Sequence, residues 1–275
     1  MTYSINTNAG ALVALQNLAS TQMSLATTQN VISTGKSVNT AKDNGAIWSI
    51  ANTMSGKVTA LDAVKDSLNR ATSTIDVAMS AGQQVSDLLT QMKAKALAAS
   101  DTSLDSTSRA SLNQDFKSLL SQITTVVSNA DFNGVNMIKA SGTTIYALAN
   151  DDGSSKITVA AQSLAVGGAN VTIVAAASFA TASAASAYVA TLTTDIGKVN
   201  DALTNLGTGS NALAAQLKFV SGLQNSLNTG ISNLVDADMA SESAKLQALQ
   251  TKQQLGIQAL SIANQSTSAL LSLFR

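Results

Sequence analysis

Apolar and small side chains return at alternating steps of three and four along most of the chain. Near its end Leu246, Leu249, Gln253, Gly256, Leu260, Ala263, Thr267, Leu270 and Phe274 keep that step. This spacing predicts one seam of a helix able to coil along a partner. Near the beginning Ala11, Leu15, Leu18, Gln22, Leu25, Gln29 and Ile32 step in the same way, with Leu12, Ala19 and Ala26 widening the face. No charged residue precedes Lys36, and none lies between Lys252 and Arg275. Helices that are apolar along a seam and uncharged elsewhere are built to be buried. The two ends are expected to pair, with the rest of the chain carried between them as a hairpin.

The same period predicts the intervening helices. The first helix covers residues 4 to about 33, capped by Asn6 or Asn8 and ended by Gly35 in a left-handed conformation. Met54, Val58, Leu61, Lys65, Leu68, Thr72, Ile75, Met79 and Gly82 lie on one long helix from about residue 45 to 99, with Gly82 as the place where a break is weighed. Leu112, Phe116, Leu119, Ile123 and Val126 predict a shorter helix, closed by a turn at Asp131-Phe132-Asn133-Gly134. Helix resumes near Ala185 and runs to about Val235, with a local break weighed at Gly207-Thr208-Gly209.

Between these helices the period changes. Residues 143–148, 156–160 and 171–175 are rich in branched side chains and separated by Asn/Asp and Gly turns, which predicts a small antiparallel insert. Short strands, small residues and a surface position lead to the expectation that this insert carries little of the seam burial, and that removing residues 143–178 leaves export and assembly largely intact. The fold class is thus mainly α: a long antiparallel helical bundle and coiled-coil hairpin from paired terminal segments, with a small β-rich insert. The expected divisions are 1–35 with 240–275, 36–140 with 180–239, and 141–179.

Composition narrows the chemistry. The 275 residues contain no Cys, His or Pro. Disulfides, thiolate metal sites and imidazole catalysis are excluded, and unbroken helices are favoured. Sixteen acidic residues balance sixteen basic ones, without the basic cluster that nucleic-acid binding needs. The start lacks the pattern of a cleaved secretory signal, and no apolar run reaches membrane-spanning length. Asp236, Asp238 and Glu242 form the best carboxylate cluster, read as a solvated joint before a helix. Asp43 is read as a loop pair with Lys42, and Trp48 as a packing anchor. No catalytic, cofactor-binding or metal-binding residues are assigned, and no enzyme activity is expected.

The motifs at both ends resemble bacterial flagellins, most of all the short flagellins of Caulobacter and related alphaproteobacteria. The matching residues are Ser4-Ile5-Asn6-Thr7-Asn8, Ile32-Ser33-Thr34-Gly35-Lys36 and Ala41-Lys42-Asp43 at the beginning. Ser108-Arg109, Leu112-Asn113-Gln114-Asp115-Phe116 and Phe132-Asn133-Gly134 match in the middle. Asp236-Ala237-Asp238-Met239-Ala240, Gln254-Leu255-Gly256, Ala263-Asn264-Gln265 and Leu270-Leu271-Ser272-Leu273 match at the end. The resemblance implies a structural subunit that polymerises with itself, and with paralogous flagellins, into the filament used for swimming. It implies terminal helices in the inner core and an outward insert. It also implies export without a cleaved signal through the flagellar type III apparatus. The implied partners are a chaperone, the filament cap and the hook-junction proteins, and the implied location is extracellular. The assembly seam is expected at Ala11, Leu15, Leu18, Leu25, Ile32, Leu246, Leu249, Gly256, Leu260, Ala263, Leu270 and Phe274. A hook–filament junction protein of the same superfamily is the alternative.

Overall fold

Helix periodicity in the sequence becomes five helices in the computed structural model, which describes residues 7–272, with side chains described to residue 265. In chain order they are α1 (Ala9–Thr34), α2 (Gly45–Ala99), α3 (Ser106–Asn129), α4 (Ala182–Val235) and α5 (Met239–Ser272). The start expected at residue 4, and a cap at Asn6, lie outside the described residues. Two strands, β1 (Ile145–Leu148) and β2 (Lys156–Val159), lie between α3 and α4 and pair antiparallel with Ile145 opposite Val159. Packing divides the chain into two compact units. One joins the segment up to Gly56 with that from Ser226, and the other is Lys57–Asn225.

The unit Lys57–Asn225 owes its core to one face of each helix. Leu61, Leu68, Ile75, Leu89 and Met92 of α2, Phe116 and Ile123 of α3, and Leu192, Leu206, Leu213 and Val220 of α4 are all buried. Polar side chains secure the helix ends. The Asp105 carboxylate accepts from the Ser108 amide at 2.7 Å and caps α3. Hydrogen bonds from the Ser108 backbone and then its hydroxyl hold this carboxyl below its usual range. Arg109 closes the other end of the α2–α3 connection by donating to the carbonyls of Ala99, Asp101 and Leu104.

The long helices that the period predicts are continuous, without the breaks weighed at two places. The helix α2 runs through Gly82 and α4 through Gly207-Thr208-Gly209. Two of these glycines serve close approach instead. A Cβ on Gly82 would stand 2.6 Å from Leu203 Cδ2, and one on Gly209 would stand 2.6 Å from Val159 Cγ1 of β2. The turn after α3 forms as expected: Phe132 and Val135 exchange both backbone hydrogen bonds, with Asn133 at φ 53° and Gly134 at φ 80°.

The insert differs from its expectation in its third segment. Residues 171–175 form no strand; Val171 makes only an isolated bridge to Val166. The carboxylate of Asp195, buried in α4, instead accepts from the Thr172 amide at 2.8 Å, the Thr172 hydroxyl at 2.8 Å and the Ile173 amide at 3.3 Å. A side chain thus satisfies the backbone that a neighbouring strand would otherwise pair. The insert is also packed through its own apolar side chains. Leu164, Val171, Ile173 and Phe179 are buried. Phe179 meets Phe116 edge-on, with ring centroids 5.2 Å apart, and Tyr188 of α4 completes the aromatic cluster.

Candidate assembly surface

The unit formed by the two ends of the chain is built on the pair α1 and α5. Asn8 starts α1: its Oδ1 accepts from the Ala11 amide at 3.0 Å, and its Nδ2 donates to the Ala263 carbonyl at 2.8 Å. At the other end Gly35, at φ 71°, closes α1, and its carbonyl accepts from the Ala237 amide at 3.0 Å. These two ties fix the helices antiparallel. Asp238 caps α5 by accepting from the amides of Ala240 and Ser241, which gives the acidic joint a structural role. Among the described residues no cluster of three acidic side chains is arranged to hold a metal ion.

Beyond the joint, the Ser37 amide donates to the Val235 carbonyl at 2.7 Å, and the backbones of Lys36 and Asp236 form an isolated antiparallel β-bridge. Val38, Ala51 and Val235 form a small core there, with Ile47, Ile231 and Leu234 packed on it. Asp43 makes a turn instead of pairing with Lys42. Its carboxylate accepts from the amides of Asn39 and Thr40, and the Thr40 backbone bond is the main reason its carboxyl lies below the usual range. Trp48 is not buried as an anchor; 38% of it is exposed.

On α5 the seam residues Leu246, Leu249, Gly256, Leu260 and Ala263 are all half-buried, as are Glu242 and Gln253 on the same steps. A Cβ added to Gly256 would stand 3.3 Å from Leu18 Cδ1, so glycine there admits the leucine of α1. On α1 the half-buried or buried positions are Ala11, Ala14, Leu18, Thr21, Leu25, Thr28, Val31 and Ile32. Ala11, Leu18, Leu25 and Ile32 lie both on this seam and on the one expected from the period. The alternate expected positions, Leu15, Gln22 and Gln29, are each one residue too late and lie exposed. Seeking the largest apolar side chain selects Leu15, whereas contact with α5 selects the small Ala14, Thr21 and Thr28. The side chains of Thr267 and Leu270, and all of Phe274, lie outside the described residues.

Pairing leaves much of both helices open. Leu12, Val13, Leu15 and Met23 of α1 and Leu255, Ile257 and Ile262 of α5 are exposed, Met23 and Ile262 each at 67%. No charged residue lies on α1, and none on α5 beyond Lys252. Large apolar side chains are thus left in water on both helices.

The sequence matches the bacterial flagellin N-terminal helical region over residues 5–143 and the bacterial flagellin C-terminal helical region over residues 189–274. The chain is a bacterial flagellin. It is 55% identical to flagellin FljM of Caulobacter vibrioides over 99% of this chain and 98% of that one. It is also 40% identical to a flagellin of Brucella melitensis over 99% of each chain. The crystal structure of Bacillus cereus flagellin superimposes with a TM-score of 0.50 at 21% identity, covering 56% of this chain and 88% of that one, which shows the shared fold. Matches of this length decide for a flagellin over the junction-protein alternative. Flagellins are structural subunits of the flagellar filament and not enzymes, and this flagellin assembles with copies of itself.

Proposed function

We propose that α1 and α5 form the inner layer of the filament, with their exposed apolar faces buried against neighbouring copies. The remainder of α2, α3 and α4 forms the surrounding layer, and the insert faces outward. The assembly seam comprises Ala11, Leu18, Leu25, Ile32, Leu246, Leu249, Gly256, Leu260 and Ala263 within the hairpin. Leu15, left exposed by that pairing, meets the next copy. The observation that carries this reading is that two paired helices, one without charge and the other without charge beyond Lys252, expose large apolar side chains to water. Repeated heterologous burial of one such face generates an open helix.

The filament is extracellular, and its subunits leave the cell through the flagellar export apparatus with a chaperone, meeting the junction proteins and cap at the filament's ends. Among the described residues no helix is long and apolar enough to cross a membrane.

Leu260→Asp tests the role of the hairpin. The substitution removes apolar packing worth about 2–5 kcal/mol and places a charge in a seam without a cationic partner. The expected outcome is loss of filaments by electron microscopy, while the unit Lys57–Asn225 melts as in the wild type. Filaments of normal length at the wild-type critical concentration contradict the reading.

A further inference from the structure

We propose that Asn44-Gly45 is a site of spontaneous covalent modification, at which the Gly45 amide closes on the Asn44 side chain and releases ammonia. Asp131 guards the other Asn-Gly pair, Asn133-Gly134, against the same reaction.

The sequence contains two Asn-Gly pairs. Glycine after asparagine has no Cβ to hinder ring closure, and the reacting groups are already held in one molecule. Both pairs are exposed, and a Cβ on either glycine would meet no atom within 4 Å. Access therefore does not separate them; hydrogen bonding does.

Asn44 caps α2. Its backbone carbonyl accepts from the Trp48 amide at 2.9 Å, and its Oδ1 accepts from the Ile47 amide at 3.2 Å. Attack on Cγ puts negative charge on Oδ1, where the Ile47 N–H and the positive end of the helix stabilise it. The attacking group is open: among the described residues the Gly45 amide makes no hydrogen bond. The neighbouring Asp43 carboxylate is engaged in the preceding turn, accepting from the amides of Asn39 and Thr40.

At the second pair the Gly134 amide donates to Asp131 Oδ1 at 2.8 Å. This nitrogen has to lose its proton before it attacks, and a carboxylate bonded to that proton opposes the developing anion. A carboxylate is also too weak a base to take the proton itself. Two backbone hydrogen bonds between Phe132 and Val135 fix the peptide on either side, with Asn133 at φ 53°.

In the reaction the Gly45 nitrogen gives its proton to solvent hydroxide and bonds to Cγ. The Cγ–Nδ2 bond breaks, and ammonia leaves with a proton from water. Water then opens the cyclic imide. Addition at Cγ leaves an aspartate at position 44, and addition at the backbone carbonyl leaves an isoaspartate with a longer main chain. Either product adds a negative charge to a chain whose sixteen acidic and sixteen basic residues balance. The aspartate keeps the cap, whereas the isoaspartate distorts it beside Ile47, which packs on Val38, Ala51 and Val235.

The purified subunit is incubated at mildly alkaline pH, and conversion at each pair is followed by peptide mass spectrometry with fragmentation. Conversion at Asn44 is expected to be roughly ten-fold faster than at Asn133, the ratio that about one unit in the acidity of the attacking amide produces. Isoelectric focusing is expected to show a matching acidic shift. Gly45→Ala is expected to slow the first site and leave the second unchanged. Asp131→Asn keeps an acceptor for the turn but removes the charge, and it is expected to accelerate conversion at Asn133 relative to Asn44 in the same molecule. Equal conversion at the two pairs in the wild type, or faster conversion at Asn133, overturns the proposal. An unchanged ratio in Asp131→Asn overturns the guard, and slower conversion at Asn133 does so by assigning Asp131 the opposite role of a base.

Discussion

Asp195 shows how much one side chain can organise. Its carboxylate is fully buried and accepts three hydrogen bonds from Thr172 and Ile173, holding to α4 a segment that lacks strand partners. Asp195→Ala leaves those donors without acceptors, and each unsatisfied buried group costs about 1–3 kcal/mol. The expected result is a lower urea midpoint and faster proteolysis within residues 165–178; a wild-type midpoint contradicts this role. The exposed acids act more locally. Asp43 and Asp105 have their carboxyls lowered chiefly by backbone hydrogen bonds. Their stabilisation is therefore present above the usual carboxylate range and lost as pH falls through the lowered folded value. Caps of this kind are partly legible in the sequence: Asn8 and Gly35 stand beside the hydrophobic period they terminate. Asp195 is not, because its partners lie in an aperiodic segment 22 and 23 residues earlier in the chain.

The helices are the most legible elements, since each repeats its burial pattern over many turns and none contains proline. Glycines leave an alternative open at two places. Gly82 and Gly209 suggest breaks, yet each lies inside a continuous helix where Leu203 or Val159 approaches closely. Nothing in the local sequence distinguishes a glycine that ends a helix from one that admits a distant side chain. The weight of the insert is hidden for a similar reason: its strands are short, but Leu164, Val171 and Ile173 fill space against the helices. A fully buried side chain of this type contributes about 1.5–3 kcal/mol. Replacing residues 143–178 by a short linker is thus expected to lower the stability of the remaining bundle, measured by its urea midpoint and by hydrogen exchange along α2 and α4. An unchanged midpoint and unchanged protection contradict the structural role of the insert.

For the complete subunit, the family and the pairing of its two ends can be read from motifs and period, while the frame of the α1 seam cannot. Every second buried position of α1 holds a small side chain, Ala14, Thr21 or Thr28, which gives no apolar signal in the sequence. The resulting arrangement gives the hairpin an inner seam and an exposed apolar face, and the proposed assembly covers the second. Seeded polymerisation of Met23→Glu, followed by sedimentation, decides whether that face is an assembly surface. Met23 is 67% exposed, so this substitution spares the hairpin's own packing. Melting and circular dichroism of the monomer are expected to match the wild type, with no sedimentable polymer even on wild-type seeds. Polymerisation of Met23→Glu at the wild-type critical concentration contradicts burial of this face in the filament.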